Sequence, residues 1–254
     1  MLLALDIGNT NIVVGCFAGQ KLVFQGRIRT VAERTVDELE VLLFSLLERN
    51  LEKGFSFSEC IISSVVPPIT PAVVELVKRK TGIQPLQVGP GIKTGISIKI
   101  GDPSTVGSDR VVNAVAAKEL YGTPALIVDF GTATSFDFVS AVGAYEGGVI
   151  APGLNVALDS LVEHTAKLPR IELIWPETVI GKSTVTAMQS GALVGYVCLV
   201  DGLIERIVEE VGKVEHIIAT GGTGKLIAQH SRMIREYQPH LTLFGMRILA
   251  ELNS

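Results

Sequence analysis

Asp6-Ile7-Gly8-Asn9-Thr10-Asn11 and Asp129-Phe130-Gly131-Thr132-Ala133-Thr134 decide the fold of this 254-residue chain. Each stretch follows an apolar run of strand length, at residues 2–5 and 125–128, and each has an acid, a glycine two residues later, and then small polar side chains. A second strand pattern and a glycine turn follow each stretch. One Asp-x-Gly turn is typical of ordinary hairpins, but two in matched surroundings indicate a duplicated unit.

The residue types in these turns suit the binding of phosphate. Phosphate oxygens accept hydrogen bonds from backbone N–H groups and small hydroxyls, which glycine admits at close range because it has no Cβ, while a nearby carboxylate holds Mg²⁺ or a bound water. Thr10, Asn11 and Thr132 are the candidate donors. In the alternative interpretation, Asp6 and Asp129 accept N–H bonds within their own turns. The duplication favours the functional interpretation.

Composition bounds the protein class. With 47% hydrophobic and 19% charged residues, the chain can build one large or two modest cores. Its 22 basic and 26 acidic residues form no polybasic stripe, so we expect neither nucleic acid nor a membrane as partner. Cys16, Cys60 and Cys198 are too scattered to indicate disulfides or zinc, and the apolar start lacks a basic leader. We therefore expect a cytoplasmic protein.

Helix and strand patterns alternate along the chain, which predicts an α/β fold. Apolar spacing indicates helices near residues 36–51, 71–80, 106–120, 154–166, 182–211 and 241–252. Two similar halves predict two α/β domains, over 1–118 and 119–254, that face each other with the acid-glycine turns lining a cleft. Residues 192–200 are apolar on almost every side of their helix, which suggests burial against another element or against a second subunit in a homodimer.

Gly107-Ser108-Asp109-Arg110 opens the helix predicted over 106–120. A helix N-terminus favours an ionised carboxylate, so Asp109 is a candidate base for an acceptor hydroxyl, a role worth about 10²- to 10⁴-fold. Arg110 is suited to a substrate carboxylate or a transferring phosphoryl group. The alternative is that Asp109 caps the helix and Arg110 is a surface cation. The tetrapeptide alone favours this alternative.

Other motifs carry weaker signals. Gly221 and Gly222 open a glycine-rich turn between a strand and a helix, where backbone can approach a nucleotide's ring or phosphates. Thr184 is by residue type a helix N-terminal turn residue. We expect Asp137 to be a solvated strand residue and Trp175 to be a packing anchor in a loop.

The motifs taken together resemble those of type III pantothenate kinases. They are DIGNTN at 6–11, DPSTVGSDR at 102–110, DFGTATSFD at 129–137, GGVIAPG at 147–153, TAMQSG at 186–191 and ATGGTG at 219–224. The resemblance implies two ribonuclease-H-like α/β domains of the actin-like ATPase type facing a central nucleotide cleft. It further implies ATP-dependent phosphorylation of pantothenate to 4′-phosphopantothenate, the first step of coenzyme A synthesis, in a cytoplasmic homodimer.

The resemblance also assigns roles to residues. Asp109 would accept the proton; Gly107, Ser108 and Arg110 would hold pantothenate, and Thr184 would contribute from the other subunit or domain. Asp129 resembles a site for a monovalent cation, K⁺ or NH₄⁺, and Asp6 would lie near Mg²⁺, which it would contact through water. Thr132 would be a second nucleotide contact, and the ATP phosphate loop would comprise Asp6, Ile7, Gly8, Asn9, Thr10, Asn11, Ile12 and Val13. Ile100 stands where many relatives have an aromatic residue, so an apolar wall remains without an aromatic contact.

Two rival functions share these motifs. A sugar kinase of the same superfamily would differ only in its acceptor, which an ADP-release assay with several acceptors separates. A non-catalytic ATP-binding regulator would need a recognisable nucleic-acid surface, and the sequence has no DNA-binding motif or basic patch.

Overall fold

A computed structural model describes all residues, 1–254, and its elements alternate between strands and helices. The strands are β1 (Leu2–Ile7), β2 (Asn11–Ala18), β3 (Lys21–Arg29), β4 (Glu59–Ser64), β5 (Leu86–Gln87), β6 (Ser97–Ile98), β7 (Ala125–Phe130), β8 (Ala133–Val139), β9 (Ala144–Pro152), β10 (His216–Gly221) and β11 (Glu236–Tyr237). The helices are α1 (Val36–Asn50), α2 (Thr70–Thr81), α3 (Ser108–Leu120), α4 (Leu154–Glu163), α5 (Thr184–Val211), α6 (Gly224–His230) and α7 (Leu241–Asn253). A 3-10 turn covers Pro103–Thr105. None of the helices combines the length and apolarity needed to cross a membrane.

The chain divides into two compact units. The first comprises residues 1–119 together with 240–254, and the second comprises residues 120–239. The sequence predicts domains over 1–118 and 119–254, whereas the contacts group α7 with the first unit because its apolar side packs on β1 and β4.

The two units share one strand order. Hydrogen bonding gives the order β3-β2-β1-β4-β5 in the first unit and β9-β8-β7-β10-β11 in the second. When the five strands in each order are counted along the chain, both orders read third, second, first, fourth, fifth. In each unit the first strand runs antiparallel to the second and parallel to the fourth. The duplication predicted from the two acid-glycine turns is therefore confirmed at the level of topology.

The core of the first unit lies on both faces of its sheet. Alternate residues of β1 point to opposite faces. Leu3, Leu5 and Ile7 pack in a cluster with the buried residues of α1 and α2, whereas Ala4 packs in a second cluster with residues of α3 and α7. Because both faces are covered by helices, the strand reads as a continuous apolar run rather than as alternating hydropathy.

The core of the second unit joins its sheet to the long helix α5. Val128 and Phe130 of β7 cluster with Val197, Val200 and Ile204 of α5. This contact accounts for part of the apolar surface of residues 192–200, so burial against another element of the same chain is confirmed for that part of α5.

Candidate functional site

The first acid-glycine turn joins β1 to β2 and is held by its own backbone and by Thr30. The Gly8 N–H donates to the Asn11 carbonyl at 3.0 Å. Thr30, directly after β3, donates its N–H to the Thr10 carbonyl at 2.9 Å and its hydroxyl to the Gly8 carbonyl at 2.7 Å. Asn9 and Thr10 are exposed. A fixed, solvent-facing turn of this kind suits the binding of a polar ligand.

The second turn joins β7 to β8 and is held in the corresponding way. The Gly131 N–H donates to the Ala133 carbonyl at 3.0 Å, and the N–H of Gly153, directly after β9, donates to the Thr132 carbonyl at 3.1 Å. A Cβ on Gly153 would lie 2.3 Å from that carbonyl oxygen, so only glycine admits this approach. Thr132 itself is exposed at the tip. Each turn thus receives an N–H from the residue that follows its third strand.

Each acid has a hydroxyl residue beside it on the neighbouring parallel strand. Asp6 pairs with Ser63 of β4, and Asp129 pairs with Thr220 of β10. Ser63 is fully buried and Thr220 nearly so. Neither hydroxyl is predicted from the sequence, because both lie far along the chain from their acids and each is a single polar residue near the end of an apolar strand.

Ser63 links the first turn to the start of α3. The Ser108 hydroxyl donates to the Ser64 carbonyl at 3.0 Å, and its oxygen lies 3.0 Å from the Ser63 hydroxyl oxygen. Since Ser108 has one hydroxyl hydrogen, which goes to Ser64, Ser63 is the donor between the two hydroxyls. Within the first unit, the structure therefore brings the 107–110 motif to the ends of β1 and β4, beside the Asp6 turn.

Asp109 lies in the first turn of α3 with its carboxylate folded back along the helix end. Its Oδ1 accepts the Arg110 N–H at 2.9 Å, and a Cβ on Gly107 would lie 2.5 Å from the same oxygen. The carboxylate thus contacts a helix N-terminus, as the capping interpretation predicts. Asp109 and Arg110 are both partly exposed, so the side chains remain within reach of a ligand.

Asp129 lies against the glycine-rich turn after β10. A Cβ on Gly221 would lie 2.6 Å from Asp129 Oδ1 and 2.6 Å from the Phe130 carbonyl oxygen, and Gly221 has a φ of +88°. Both the close approach and the left-handed backbone require glycine. Gly222 is exposed beside it. The structure therefore groups Asp129, Gly221 and Gly222 at one end of the second sheet.

Thr184 is the first residue of α5 and is exposed. Ser183 caps the helix through a reciprocal pair of hydrogen bonds with Thr186, so the predicted N-terminal position of Thr184 is confirmed. Thr184 also lines an apolar cavity of about 570 Å³ between α4 and α5, together with residues such as Leu158, Leu161 and Met188.

Two further predictions have opposite outcomes. Asp137 is fully buried, and its oxygens accept hydrogen bonds from Ser135 at 2.7 Å and Tyr145 at 2.8 Å, so the prediction of a solvated side chain was wrong. The two hydroxyls make the burial of this polar group possible. Trp175 stacks on His230 with ring centroids 3.4 Å apart, which confirms it as a packing anchor.

Comparison with known proteins identifies relatives over the whole chain. A family model described as type III pantothenate kinase matches residues 2–206. The chain is 45% identical to the type III pantothenate kinase of Moorella thermoacetica, covering 100% of both chains, and 47% identical to that of Bacillus cytotoxicus, covering 100% of this chain and 97% of the relative.

Solved structures with lower sequence identity to this chain have a similar fold. A Campylobacter jejuni protein assigned to the Baf family of transcriptional activators has a TM-score of 0.60 at 18% identity, covering 98% of this chain and 97% of the other. An inorganic polyphosphate/ATP-glucomannokinase from Arthrobacter has a TM-score of 0.53 at 14% identity, covering 100% and 99%. These similarities support the actin-like kinase fold.

Proposed function

This chain belongs to the type III pantothenate kinase family, and from that premise we propose which of its residues carry the reaction. The enzyme phosphorylates pantothenate with ATP to give 4′-phosphopantothenate, the first step of coenzyme A biosynthesis. The observation that carries this function is the match to the family across the full length of the curated relatives.

Asp109 is the proposed proton acceptor. As the acceptor hydroxyl of pantothenate attacks the γ-phosphorus, its oxygen loses a proton, which passes to the Asp109 carboxylate, and ADP leaves. The helix N-terminus stabilises the ionised carboxylate before the transfer. The Arg110 N–H bond to Oδ1 fixes one carboxylate oxygen, and Asp109 is partly exposed to solvent.

Asp6, Ile7, Gly8, Asn9, Thr10, Asn11, Ile12 and Val13 form the proposed ATP phosphate loop. The exposed Asn9 and Thr10 present polar groups at its tip, and Thr30 keeps the loop in one conformation before ATP binds.

Thr132, Gly221 and Gly222 are proposed as further nucleotide contacts. The exposed Thr132 hydroxyl suits phosphate oxygens, and Gly222 suits a flat ring because it has no side chain.

Mg²⁺ fits a water-mediated position near Asp6. No group of three or more His, Cys, Asp or Glu side chains lies together in this protein, and Mg²⁺ is typically bound through one or two carboxylates plus substrate phosphates and waters. A single partly exposed Asp6 carboxylate matches that pattern. When bound, the ion neutralises charge that develops on the phosphates.

Asp129 is the proposed site for K⁺ or NH₄⁺. Hard cations bind carboxylate and carbonyl oxygens. Asp129 Oδ1 and the Phe130 carbonyl oxygen both lie close to Gly221. The donor set therefore fits such a cation, whose charge would offset repulsion between Asp129 and phosphate.

Gly107, Ser108 and Arg110 are the proposed pantothenate contacts, and Thr184 is proposed to contribute from the other subunit or domain. Arg110 suits the pantothenate carboxylate because guanidinium makes two parallel hydrogen bonds to it. Ser108 already donates its hydrogen to Ser64, so towards pantothenate its hydroxyl serves as an acceptor.

We further propose a cytoplasmic homodimer formed through α4 and α5. Both helices expose large apolar side chains, Val156 and Leu161 on α4 and Val185 and Leu199 on α5, each at least 40% exposed. Apolar surface of this kind typically marks an interface.

The cysteines support the cytoplasmic location. All three are free thiols, as is usual for proteins of reducing compartments.

A coupled assay tests the proposed function. Purified protein with pantothenate, MgATP and K⁺ should release ADP, whereas a hexose in place of pantothenate should give no ADP above background. Turnover of the sugar and not of pantothenate would assign the chain to the rival class. Sedimentation velocity in the same buffer tests the dimer.

A further inference from the structure

Tyr196 of α5 contacts two strands, β8 and β9, close to the second acid-glycine turn. Its hydroxyl oxygen lies 2.5 Å from Thr134 Oγ1, at the start of β8, and donates to the Pro152 carbonyl at 3.1 Å, at the end of β9. Thr134 is fully buried, and Tyr196 is 7% exposed. The mechanism derived above uses neither side chain.

The hydrogen bonds of Tyr196 have a single consistent assignment. The phenol has one hydrogen, which it donates to Pro152, so Thr134 donates to the phenol oxygen. Burial raises the pKa of Tyr196, opposed by the hydrogen bonds from Thr134 and the Leu154 backbone. The phenol therefore stays neutral at physiological pH and keeps the hydrogen that Pro152 accepts.

Thr132 is connected to the first contact through the chain and to the second through a backbone hydrogen bond. On β8, Thr134 is two residues from Thr132. On β9, Pro152 pairs with Ala133 and precedes Gly153, whose N–H donates to the Thr132 carbonyl. A movement of either strand end would therefore move Thr132.

We propose that Tyr196 is a positioning residue for nucleotide binding, which acts by holding the two strand ends that set the place of Thr132. This inference rests on the proposed role of Thr132 as a nucleotide contact. Tyr196 itself touches neither ATP nor pantothenate in this proposal. Its hydroxyl fixes the turn before ATP arrives, so that ATP binding does not have to order it.

Tyr196→Phe is the informative variant because it removes only the hydroxyl. The ring packs beside Phe130, with centroids 6.5 Å apart, and lines the apolar cavity between α4 and α5, and phenylalanine keeps both contacts. We expect the Kd for MgADP, measured by calorimetry, and the KM for ATP to rise about tenfold, as for loss of one buried hydrogen bond partner. We expect kcat and the KM for pantothenate to stay within about twofold of wild type.

Thr134 provides a second and independent variant. Thr134→Val removes the same hydrogen bond from the other side and should weaken MgADP binding by a similar factor, whereas Thr134→Ser should bind as wild type does. The double variant Tyr196→Phe/Thr134→Val should bind MgADP as Tyr196→Phe alone does, because Tyr196→Phe already removes the hydrogen bond that Thr134→Val breaks.

Tyr145→Phe is the matched control. Tyr145 is also buried, on β9 of the same sheet, and donates to Asp137, five residues from Thr132 along the chain. Its loss should lower thermal stability and leave the Kd for MgADP unchanged. If Tyr196→Phe and Thr134→Val lower stability in the same way without changing the Kd for MgADP, the positioning role is refuted.

Thr132→Ala separates this inference from the proposed function. If Thr132→Ala binds MgADP as wild type does, Thr132 is not a nucleotide contact. The proposed positioning role of Tyr196 is then refuted as well. Weakened binding by Thr132→Ala together with wild-type binding by Tyr196→Phe would overturn the inference alone.

Discussion

The Ser63 hydroxyl donates to the Ser108 hydroxyl at 3.0 Å and so fixes the start of α3 to the end of β4. Ser63 is fully buried, and its neighbour across the sheet is Asp6. One small side chain thus stands between the proposed phosphate loop and the helix turn that carries the proposed proton acceptor. Together with the bond from the Ser108 hydroxyl to the Ser64 carbonyl, this contact ties the 107–110 motif to the end of β4.

Ser63→Ala should lower kcat/KM for pantothenate by about threefold to tenfold, because Ser108 loses a donor and α3 is less firmly held. Steady-state kinetics measures this. Ser64→Ala is the matched control, since its hydroxyl lies 2.6 Å from Thr70 Oγ1 at the start of α2 instead. Equal kinetic losses in both variants would argue against a specific role for Ser63.

Asp109→Asn should fold and bind nucleotide as wild type does, while kcat falls by about 10²- to 10⁴-fold. The asparagine Oδ1 can still accept the Arg110 N–H, so the helix end is preserved while the base is lost. Single-turnover phosphoryl transfer and MgADP calorimetry measure the two effects. Wild-type turnover would leave Asp109 as a helix cap only.

Asp129→Ala should abolish activation by K⁺ or NH₄⁺, because the carboxylate of the proposed cation site is gone. Titration of each chloride salt at constant ionic strength, with tetramethylammonium as the inert cation, measures the activation. Asp159→Ala removes an exposed acid of α4 in the same unit and should keep the wild-type cation response. A cation response in Asp129→Ala equal to that of the wild type would reject the site.

Gly153→Ala should raise the KM for ATP by about tenfold and destabilise the protein by about 1–3 kcal/mol, because the new Cβ meets the Thr132 and Gly131 carbonyl oxygens. Those atoms are backbone, so the turn itself has to move. Urea unfolding and initial rates provide the two measurements. Gly202→Ala is the control, since its added Cβ meets no side chain and no other element within 4 Å, and alanine favours the α5 helix. A similar rise in KM there would contradict the steric explanation.

Because of His240, we expect the free energy of unfolding to depend on pH. Burial lowers the pKa of His240 below 6.5, and the Arg27 cation lowers this pKa further. The folded state therefore binds a proton less readily than the unfolded state, so the free energy of unfolding falls as the pH decreases below about 6.5. His240→Gln should lose less stability than wild type between pH 7.5 and 5.5 in urea titrations. An identical loss in both proteins would show that other groups cause the pH dependence.

Local sequence patterns predicted most of the elements but not the contacts that complete the site. The acid-glycine turns, the leucines of α1 and the apolar face of α5 lie within short windows, where periodicity is informative. Ser63 with Ser108 and Thr134 with Tyr196 are separated by 45 and 62 residues, so no local pattern could join them.

Two local predictions failed for identifiable reasons. The helix predicted from residue 106 begins at Ser108, because the Asp102 side chain accepts the Ser104 N–H and starts a separate 3-10 turn. Asp137 reads as a polar strand residue, but hydroxyl groups on β8 and β9 make its burial possible. In both cases a side-chain hydrogen bond outweighed the hydropathy pattern.

Helix α7 gives the two units a fixed order of completion during protein synthesis. Residues 120–239 leave the ribosome before α7 does, whereas the first unit lacks the helix that covers Ala4, Ile61 and Val112 until residue 253 has emerged. A nascent chain stopped at residue 239 would thus present an uncovered apolar surface to chaperones, although every residue of the proposed proton acceptor and phosphate loop had long been synthesised.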